Sequence, residues 1–180
     1  MNIACLGWGS LIWNPGGLLV QNKWFEDGPL LPVELSRQSK NKRITFIIDE
    51  NAHPVRVLWA LMTVSNIDDA RASLKERENA YRLDDIHFVE VTDKEDKGIK
   101  ATIVKWLETK NLDAAVWTGL SFSEFTNREQ PSVDYVIKHL DNLEYNTRKL
   151  AEEYIRKAPR QIDTQYRRKI EIALGWTPID

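Results

Sequence analysis

The stretch with the clearest chemical potential lies near the start of the chain. It consists of Gly7, Trp8, Gly9, Ser10 and Leu11, and it follows an apolar run at residues 3–6. Two glycines that flank a bulky residue allow the backbone to turn sharply and leave its N–H groups free. Free N–H groups at the end of a strand suit an anion or the oxyanion of a reaction intermediate. A tight turn without a ligand fits the same residues equally well.

Glu78 is a carboxylate that helical phasing places on an apolar face. We predict a helix over residues 66–79, in which Glu78 shares the direction of Leu74 while Glu76 faces the opposite side. A carboxylate on a buried face must pair with a cation, keep its proton to higher pH or line a pocket. The spacing leaves two interpretations open. In one, Glu78 forms an ion pair with an arginine such as Arg77 or lies at a frayed helix end. In the other, Glu78 is a general base beside a cleft.

The elements that must position these residues are mostly strands in the first two thirds of the chain. Apolar alternation and polar turns predict strands over residues 2–7, 33–39, 43–49, 54–64, 86–92, 99–107 and 114–118. The helix over residues 66–79, with Ser65 as its N-cap, interrupts them. One apolar stripe of helical period runs from Val133 to Tyr154, and a last helix is predicted over residues 161–174. This order predicts an α+β fold with a curved, largely antiparallel sheet.

Length, composition and charge narrow the class of protein. The 180 residues carry a net charge of −2, with 42% hydrophobic and 29% charged residues, which fits a single folded domain. Residues 40–43 form a short basic run, and we expect them to form a solvated turn rather than bind nucleic acid. Cys5 is the single cysteine, so neither an internal disulfide nor a cysteine-rich metal site is predicted. The N-terminus resembles neither a signal peptide nor a membrane span, so we expect a cytoplasmic protein with no membrane partner.

Three short motifs follow one another between Trp8 and Tyr135. They are Trp8-Gly9-Ser10-Leu11, Arg77-Glu78 and Pro131-Ser132-Val133-Asp134-Tyr135. In this order they resemble the motifs of the γ-glutamylcyclotransferase superfamily, and the N-terminal stretch is most similar to its ChaC-like or AIG2-like branch. The family signature there is Tyr-Gly-Ser-Leu, so Trp8 stands where the family usually has a tyrosine.

The resemblance implies a γ-glutamylcyclotransferase-like fold, in which an antiparallel, β-barrel-like sheet is flanked by helices in one domain over residues 1–180. Residues from about 148 to 180 would then be a C-terminal helical extension. The resemblance implies an enzyme that cleaves a γ-glutamyl amide into 5-oxoproline and a free amine, with Glu78 as general acid and base. The substrate-binding residues would be Gly7, Trp8, Gly9, Ser10, Leu11 and Tyr135. It implies a small γ-glutamyl substrate and neither a metal nor a cofactor.

Two other classes of function stay open at this point. Trp8 and Trp59 are bulky residues at positions where the family usually has tyrosine and glycine, which suggests a non-catalytic module that binds a small molecule. The seven tryptophans and the C-terminal helices suggest instead a surface that binds a partner protein. Nothing in the sequence sets the oligomeric state.

Overall fold

Seven strands and five α-helices make up residues 1–179, the part of the chain that the computed structural model describes. The strands are β1 (Ile3–Gly7), β2 (Leu30–Gln38), β3 (Ile44–Ile48), β4 (Pro54–Arg56), β5 (Leu58–Leu61), β6 (Ile86–Glu90) and β7 (Ala114–Thr118). The helices are α1 (Ile67–Glu78), α2 (Gly98–Lys110), α3 (Val133–Asp141), α4 (Tyr145–Lys157) and α5 (Gln165–Leu174). This confirms the α+β class. None of the helices between residues 1 and 179 has the length and apolar composition needed to cross a membrane.

The strands form two mostly antiparallel sheets. One has the order β5-β1-β7-β6, in which β1 and β7 run parallel and the other pairs are antiparallel, and the other has the order β3-β2-β4. The predicted barrel-like sheet is therefore wrong, because a barrel needs a partner on both sides of every strand. Beyond β5 the chain forms only isolated bridges from Val20 and Phe25. The glycines and prolines at residues 15–17 and 28–29 break this segment, so it cannot form the further strand that closure requires.

The chain divides into two compact units. The first contains Met1–Gly7, Leu11–Leu31 and Arg56–Leu120, and the second contains Trp8–Ser10, Pro32–Val55 and the chain from Ser121 onward. Apolar residues of β1, α1, β7 and the segments beside them form a core of the first unit, listed here: Ile3, Cys5, Leu11, Leu18, Val20, Ala60, Met62, Ala70, Leu74, Ile86, Ala114 and Val116. In the second unit the buried apolar residues include Val33, Leu35, Ile44, Phe46, Val136, Leu140, Ala151, Ile155 and Ile170. The prediction of one domain over residues 1–180 stays a prediction.

Helix α2 replaces the strand that was predicted over residues 99–107. The β-branched residues of this segment favour a strand by propensity. Its buried residues are nevertheless spaced as one helical face, since Ala101 and Val104 are three apart and Ile103 and Leu107 are four apart. Asn111, in the left-handed conformation, ends the helix. Burial of that face outweighs the local β propensity.

The predicted stripe from Val133 to Tyr154 belongs to two helices rather than one. The chain leaves the helical path between α3 and α4, and Leu150 is 54% exposed although the stripe predicted it to be buried. The break changes the direction in which the residues after it face. A single helical stripe counted across the break can therefore assign an exposed residue such as Leu150 to the core. Val136, Leu140 and Tyr154 are buried as predicted.

The ends of α1 and α5 differ from the predicted ends by a few residues. Asn66, not Ser65, is the N-cap of α1, and its side-chain oxygen accepts a hydrogen bond of 2.9 Å from the Asp69 N–H. Helix α5 begins after Thr164, which caps it, rather than at residue 161. Gly175 ends α5 in the left-handed conformation, as predicted. The predicted strand over residues 54–64 is divided into β4 and β5.

Candidate functional site

Glu78 is the last residue of α1, and its side chain is only 21% exposed. Ala70 and Leu74, two turns and one turn earlier, lie in the core of the first unit, whereas Glu76 is exposed. The predicted phasing of this helix is therefore confirmed. Asn79 ends the helix directly after the carboxylate, because it adopts the left-handed conformation and donates its N–H to the Glu76 carbonyl.

The environment of Glu78 combines burial with one ion pair. Its Oε1 atom lies 3.1 Å from Nη1 of Arg77. Burial raises the pKa of Glu78, and the positive charge of Arg77 lowers it by a smaller amount. The pKa of Glu78 is therefore above its ordinary value. The ion pair with an arginine is therefore present, and the carboxylate also keeps its proton to higher pH than an ordinary glutamate. Such a group is suited to accept and return a proton at a higher pH than an ordinary carboxylate. The interpretation of Glu78 as a general base beside a cleft stays a prediction.

Arg77 also forms hydrogen bonds that hold a loop against the end of α1. Its Nε and Nη2 atoms donate to the Asn14 carbonyl at 3.0 and 2.6 Å. Its aliphatic part lies against Gly16, where an added Cβ would be 3.4 Å from Cδ of Arg77. This loop follows Leu11, so Arg77 holds the segment after the glycine-containing turn beside the carboxylate of Glu78.

Cys5 is buried in β1 and interacts electrostatically with Glu78. Burial raises the pKa of the Cys5 thiol, and the nearby charge of Glu78 raises it further while Arg77 counteracts both. A thiol with a raised pKa stays protonated and is a poor nucleophile. Cys5 is therefore a small apolar residue of the core, as the sequence predicted, and Glu78 is the group beside it with acid–base potential.

Close packing, rather than an unusual backbone conformation, explains the glycines of the turn. Within residues 1–179, the glycines with positive φ are Gly16, Gly98 and Gly175, so Gly7 and Gly9 do not use the freedom that the sequence suggested. An added Cβ at Gly7 would lie 2.7 Å from the ring of Trp24. Leu11 belongs to the core of the first unit.

The Trp8–Ser10 segment lies in the second unit and packs on β3 and α4. The indole Nε1 of Trp8 donates to the Phe46 carbonyl at 3.4 Å, and the Phe46 N–H donates to the Tyr154 hydroxyl at 3.3 Å. Since β3 is an edge strand, these bonds satisfy backbone groups that no strand pairs with. The Tyr154 hydroxyl also lies against Gly9, where an added Cβ would be 2.6 Å from it. In the sequence, Tyr154 is marked only by its place in an apolar stripe.

We expect Gly9→Ala to destabilise the fold by about 1–3 kcal/mol, because the new methyl group overlaps the Tyr154 hydroxyl. Tyr154→Phe alone should cost about 1 kcal/mol, since the Phe46 N–H loses its acceptor. The double variant should be more stable than the sum of the two losses predicts, and urea unfolding measures this coupling. Gly17→Ala is the matched control, because nothing lies within 4 Å of its added Cβ. Strict additivity of the two changes would contradict this packing.

Tyr135 lies in the first turn of α3, after the N-cap Ser132. Its hydroxyl donates to Oε1 of Gln38 at 3.1 Å, and its ring stacks on His139 with centroids 6.1 Å apart. The side chain lines a cavity of about 300 Å³ together with residues of the segment 125–132. Tyr135 thus lies near a helix start and at a cavity, and its role in substrate binding stays a prediction.

Most of the tryptophans are core residues. Trp59 stacks on Phe25 at 4.5 Å, meets Trp106 edge to face at 5.5 Å, and donates from Nε1 to Asp27 at 2.9 Å. Five of the seven are buried: Trp8, Trp59, Trp106, Trp117 and Trp176. The tryptophan-rich surface that suggested a protein-binding function is therefore not formed by these five side chains.

The structure thus groups the candidate residues by unit. Gly7, Leu11 and Glu78 belong to the first unit, and Trp8–Ser10 and Tyr135 belong to the second. Through residue 179, no group of three or more histidine, cysteine, aspartate or glutamate side chains is arranged to hold a metal ion. No family model, curated protein or solved structure matches the chain.

Proposed function

We propose that this protein is an enzyme of the γ-glutamylcyclotransferase type, which converts a γ-glutamyl amide into 5-oxoproline and a free amine. The observation that supports this most is the geometry of Arg77 and Glu78. Glu78 is a largely buried carboxylate with a raised pKa, and its partner Arg77 holds the loop after Leu11 through the Asn14 carbonyl. A general acid–base group and a glycine-containing turn are the two features that this reaction needs.

In the proposed reaction Glu78 accepts a proton from the α-ammonium group of the substrate. The freed amine attacks the γ-carbonyl carbon, and the new N–C bond closes a five-membered ring, so the substrate itself supplies most of the proximity. The tetrahedral oxyanion then collapses and the bond to the leaving amine breaks. Glu78 returns its proton to that amine, and the ring nitrogen, which still carries two protons after the attack, passes one of them to the released amine, which leaves as an ammonium ion. Proton transfer of this kind contributes about 10²–10⁴-fold to the rate.

The turn and Tyr135 have binding roles in this proposal. The backbone of Gly7, Trp8, Gly9, Ser10 and Leu11 would hold the glutamyl part of the substrate or the oxyanion. Tyr135 would orient the substrate. Its exposed ring and its position in a cavity support a contact with a small molecule.

The test is incubation of the purified protein with glutathione, a γ-glutamyl amino acid and a γ-glutamyl amine, with 5-oxoproline measured by mass spectrometry. The α-glutamyl isomer of each compound is the matched control, because its side-chain carboxylate carries no amine to release. We expect 5-oxoproline and the free amine in equal amounts from at least one γ-linked compound and from none of the α-linked ones. Tight binding of a γ-linked compound without product would contradict the proposed reaction and support the non-catalytic binding module.

A further inference from the structure

A second candidate site lies in the second unit, where the β2–β3 hairpin meets α4. A cavity of about 400 Å³ is lined by Lys40, Asn41, Lys42, Arg43, Thr147 and Leu150. We propose that this cavity, named the hairpin pocket, binds a small polyanion that carries phosphate or carboxylate groups. The proposal does not depend on the proposed cyclotransferase activity.

The charge of the hairpin pocket is the first argument. Three of its six lining residues are cations and none is acidic. Nowhere in residues 1–179 does a carboxylate lie within 4 Å of the charged groups of Lys40, Lys42 or Arg43, although other surface cations of this chain have such partners. Positive charges gathered around a concave surface without counter-charges attract an anion.

Arg43 supplies the most specific feature. Its Nε atom is buried and has no hydrogen-bond acceptor among residues 1–179, and its guanidinium lies 5.8 Å from the centroid of the Tyr154 ring. The ring holds the guanidinium in place through a cation–π contact. A guanidinium held in this way presents a planar set of donors, which matches the oxygens of a phosphate or carboxylate group.

The backbone of the hairpin is held in one conformation. The Ser39 N–H donates to the Arg43 carbonyl at 2.7 Å, and the Lys42 N–H donates to the Ser39 carbonyl at 2.9 Å. Lys42 has a positive φ of 61°, and Nε2 of His139 on α3 donates to its carbonyl at 2.6 Å. Because these bonds fix the turn before a ligand arrives, less conformational freedom is lost on binding.

The volume of the hairpin pocket and its uncharged lining residues indicate the class of ligand. A volume of about 400 Å³ falls in the range of small-molecule pockets and exceeds what one inorganic phosphate fills. Thr147 offers a hydroxyl group, and the exposed Leu150 offers an apolar wall. This combination fits a molecule with several negatively charged groups better than a single phosphate ion.

The test is calorimetric titration of the protein with pyrophosphate, citrate and inorganic phosphate at constant ionic strength. We expect pyrophosphate or citrate to bind, and which of them binds more tightly distinguishes phosphate from carboxylate recognition. Arg43→Gln should weaken binding about tenfold, which is the loss of one charge-assisted bond. Lys40→Gln should also weaken it and is an exposed change that leaves the hairpin intact.

Lys149→Gln is the matched control, because Lys149 is an exposed cation of α4 that does not line the hairpin pocket. We expect it to change the affinity by less than about twofold. Two results would overturn the proposal. One is the absence of heat with all three anions, and the other is an equal loss of affinity for Lys149→Gln and Lys40→Gln, which would show attraction by net charge alone.

Discussion

Glu78→Gln is expected to lower the rate of 5-oxoproline release by about 10²–10⁴-fold, since the amide cannot accept a proton from the substrate amine. Glutamine has nearly the same shape and keeps an oxygen that can accept from Arg77, so the end of α1 should stay intact. The rate is measured by mass spectrometry at saturating γ-glutamyl substrate. Glu76→Gln, in the same helix but on its exposed side, should change the rate by less than about twofold. A Glu78→Gln protein with the original rate would exclude Glu78 as the catalytic residue.

The stability of the original protein and of Glu78→Gln should depend on pH in different ways, which provides a second test. Burial raises the pKa of Glu78 above its ordinary value of 4.5, so the folded protein keeps this proton to higher pH than the unfolded chain. The free energy of unfolding should therefore fall as the pH rises from the ordinary to the raised pKa. Glu78→Gln lacks this titration and should gain stability relative to the original protein across that window. Urea unfolding at a series of pH values measures the difference, and parallel curves for the two proteins would contradict the burial of this carboxylate.

Arg167→Met is expected to lower the free energy of unfolding by about 3–5 kcal/mol. The Arg167 side chain is 1% exposed, and its guanidinium donates to the carbonyls of Ala158, Pro159 and Ile162 at 2.7, 2.7 and 3.0 Å. These carbonyls lie in the segment that joins α4 to α5, outside the helical hydrogen-bond pattern. Methionine fills much of the same volume but donates nothing, so the Ala158 and Ile162 carbonyls lose this donor, the Pro159 carbonyl keeps only the Ile162 N–H, and Glu171 loses its ion pair.

Arg168→Met provides the matched control for Arg167→Met. Arg168 is the next residue of α5 and forms an ion pair with Asp163 on the surface. Because solvent screens an exposed ion pair, this change should be nearly silent in urea unfolding. Equal losses from the two substitutions would show that burial of Arg167 does not determine its contribution.

The features that the sequence predicted correctly depend on short-range patterns. The phasing of Glu78 on α1 follows from residues within three turns, and the end of α5 at Gly175 follows from one residue type. The strand predicted over residues 99–107 failed because β-branched residues occur in a segment whose burial is helical. Periodicity within a window cannot show which long-range contacts bury a segment.

In the candidate site, too, the contacts that were not predicted join residues that are far apart in the chain. The burial of Glu78 was predicted, but the bond from Arg77 to the Asn14 carbonyl was not, because it depends on how the loop after Leu11 folds back. The packing of Tyr154 against Gly9 joins residues that are far apart in the chain. The parallel pairing of β1 with β7 is equally non-local, and it is one reason that the sheets differ from the predicted one.

The burial of Cys5 gives the protein an internal reporter of its own motions. It is the one thiol of the chain, it is fully enclosed in β1, and it lies close enough to Glu78 to sense its charge. A thiol reagent can reach it only when the first unit opens, so the labelling rate records how often that opening occurs. The opening of the first unit, which contains the candidate acid–base group Glu78, can thus be followed in time without the introduction of another cysteine.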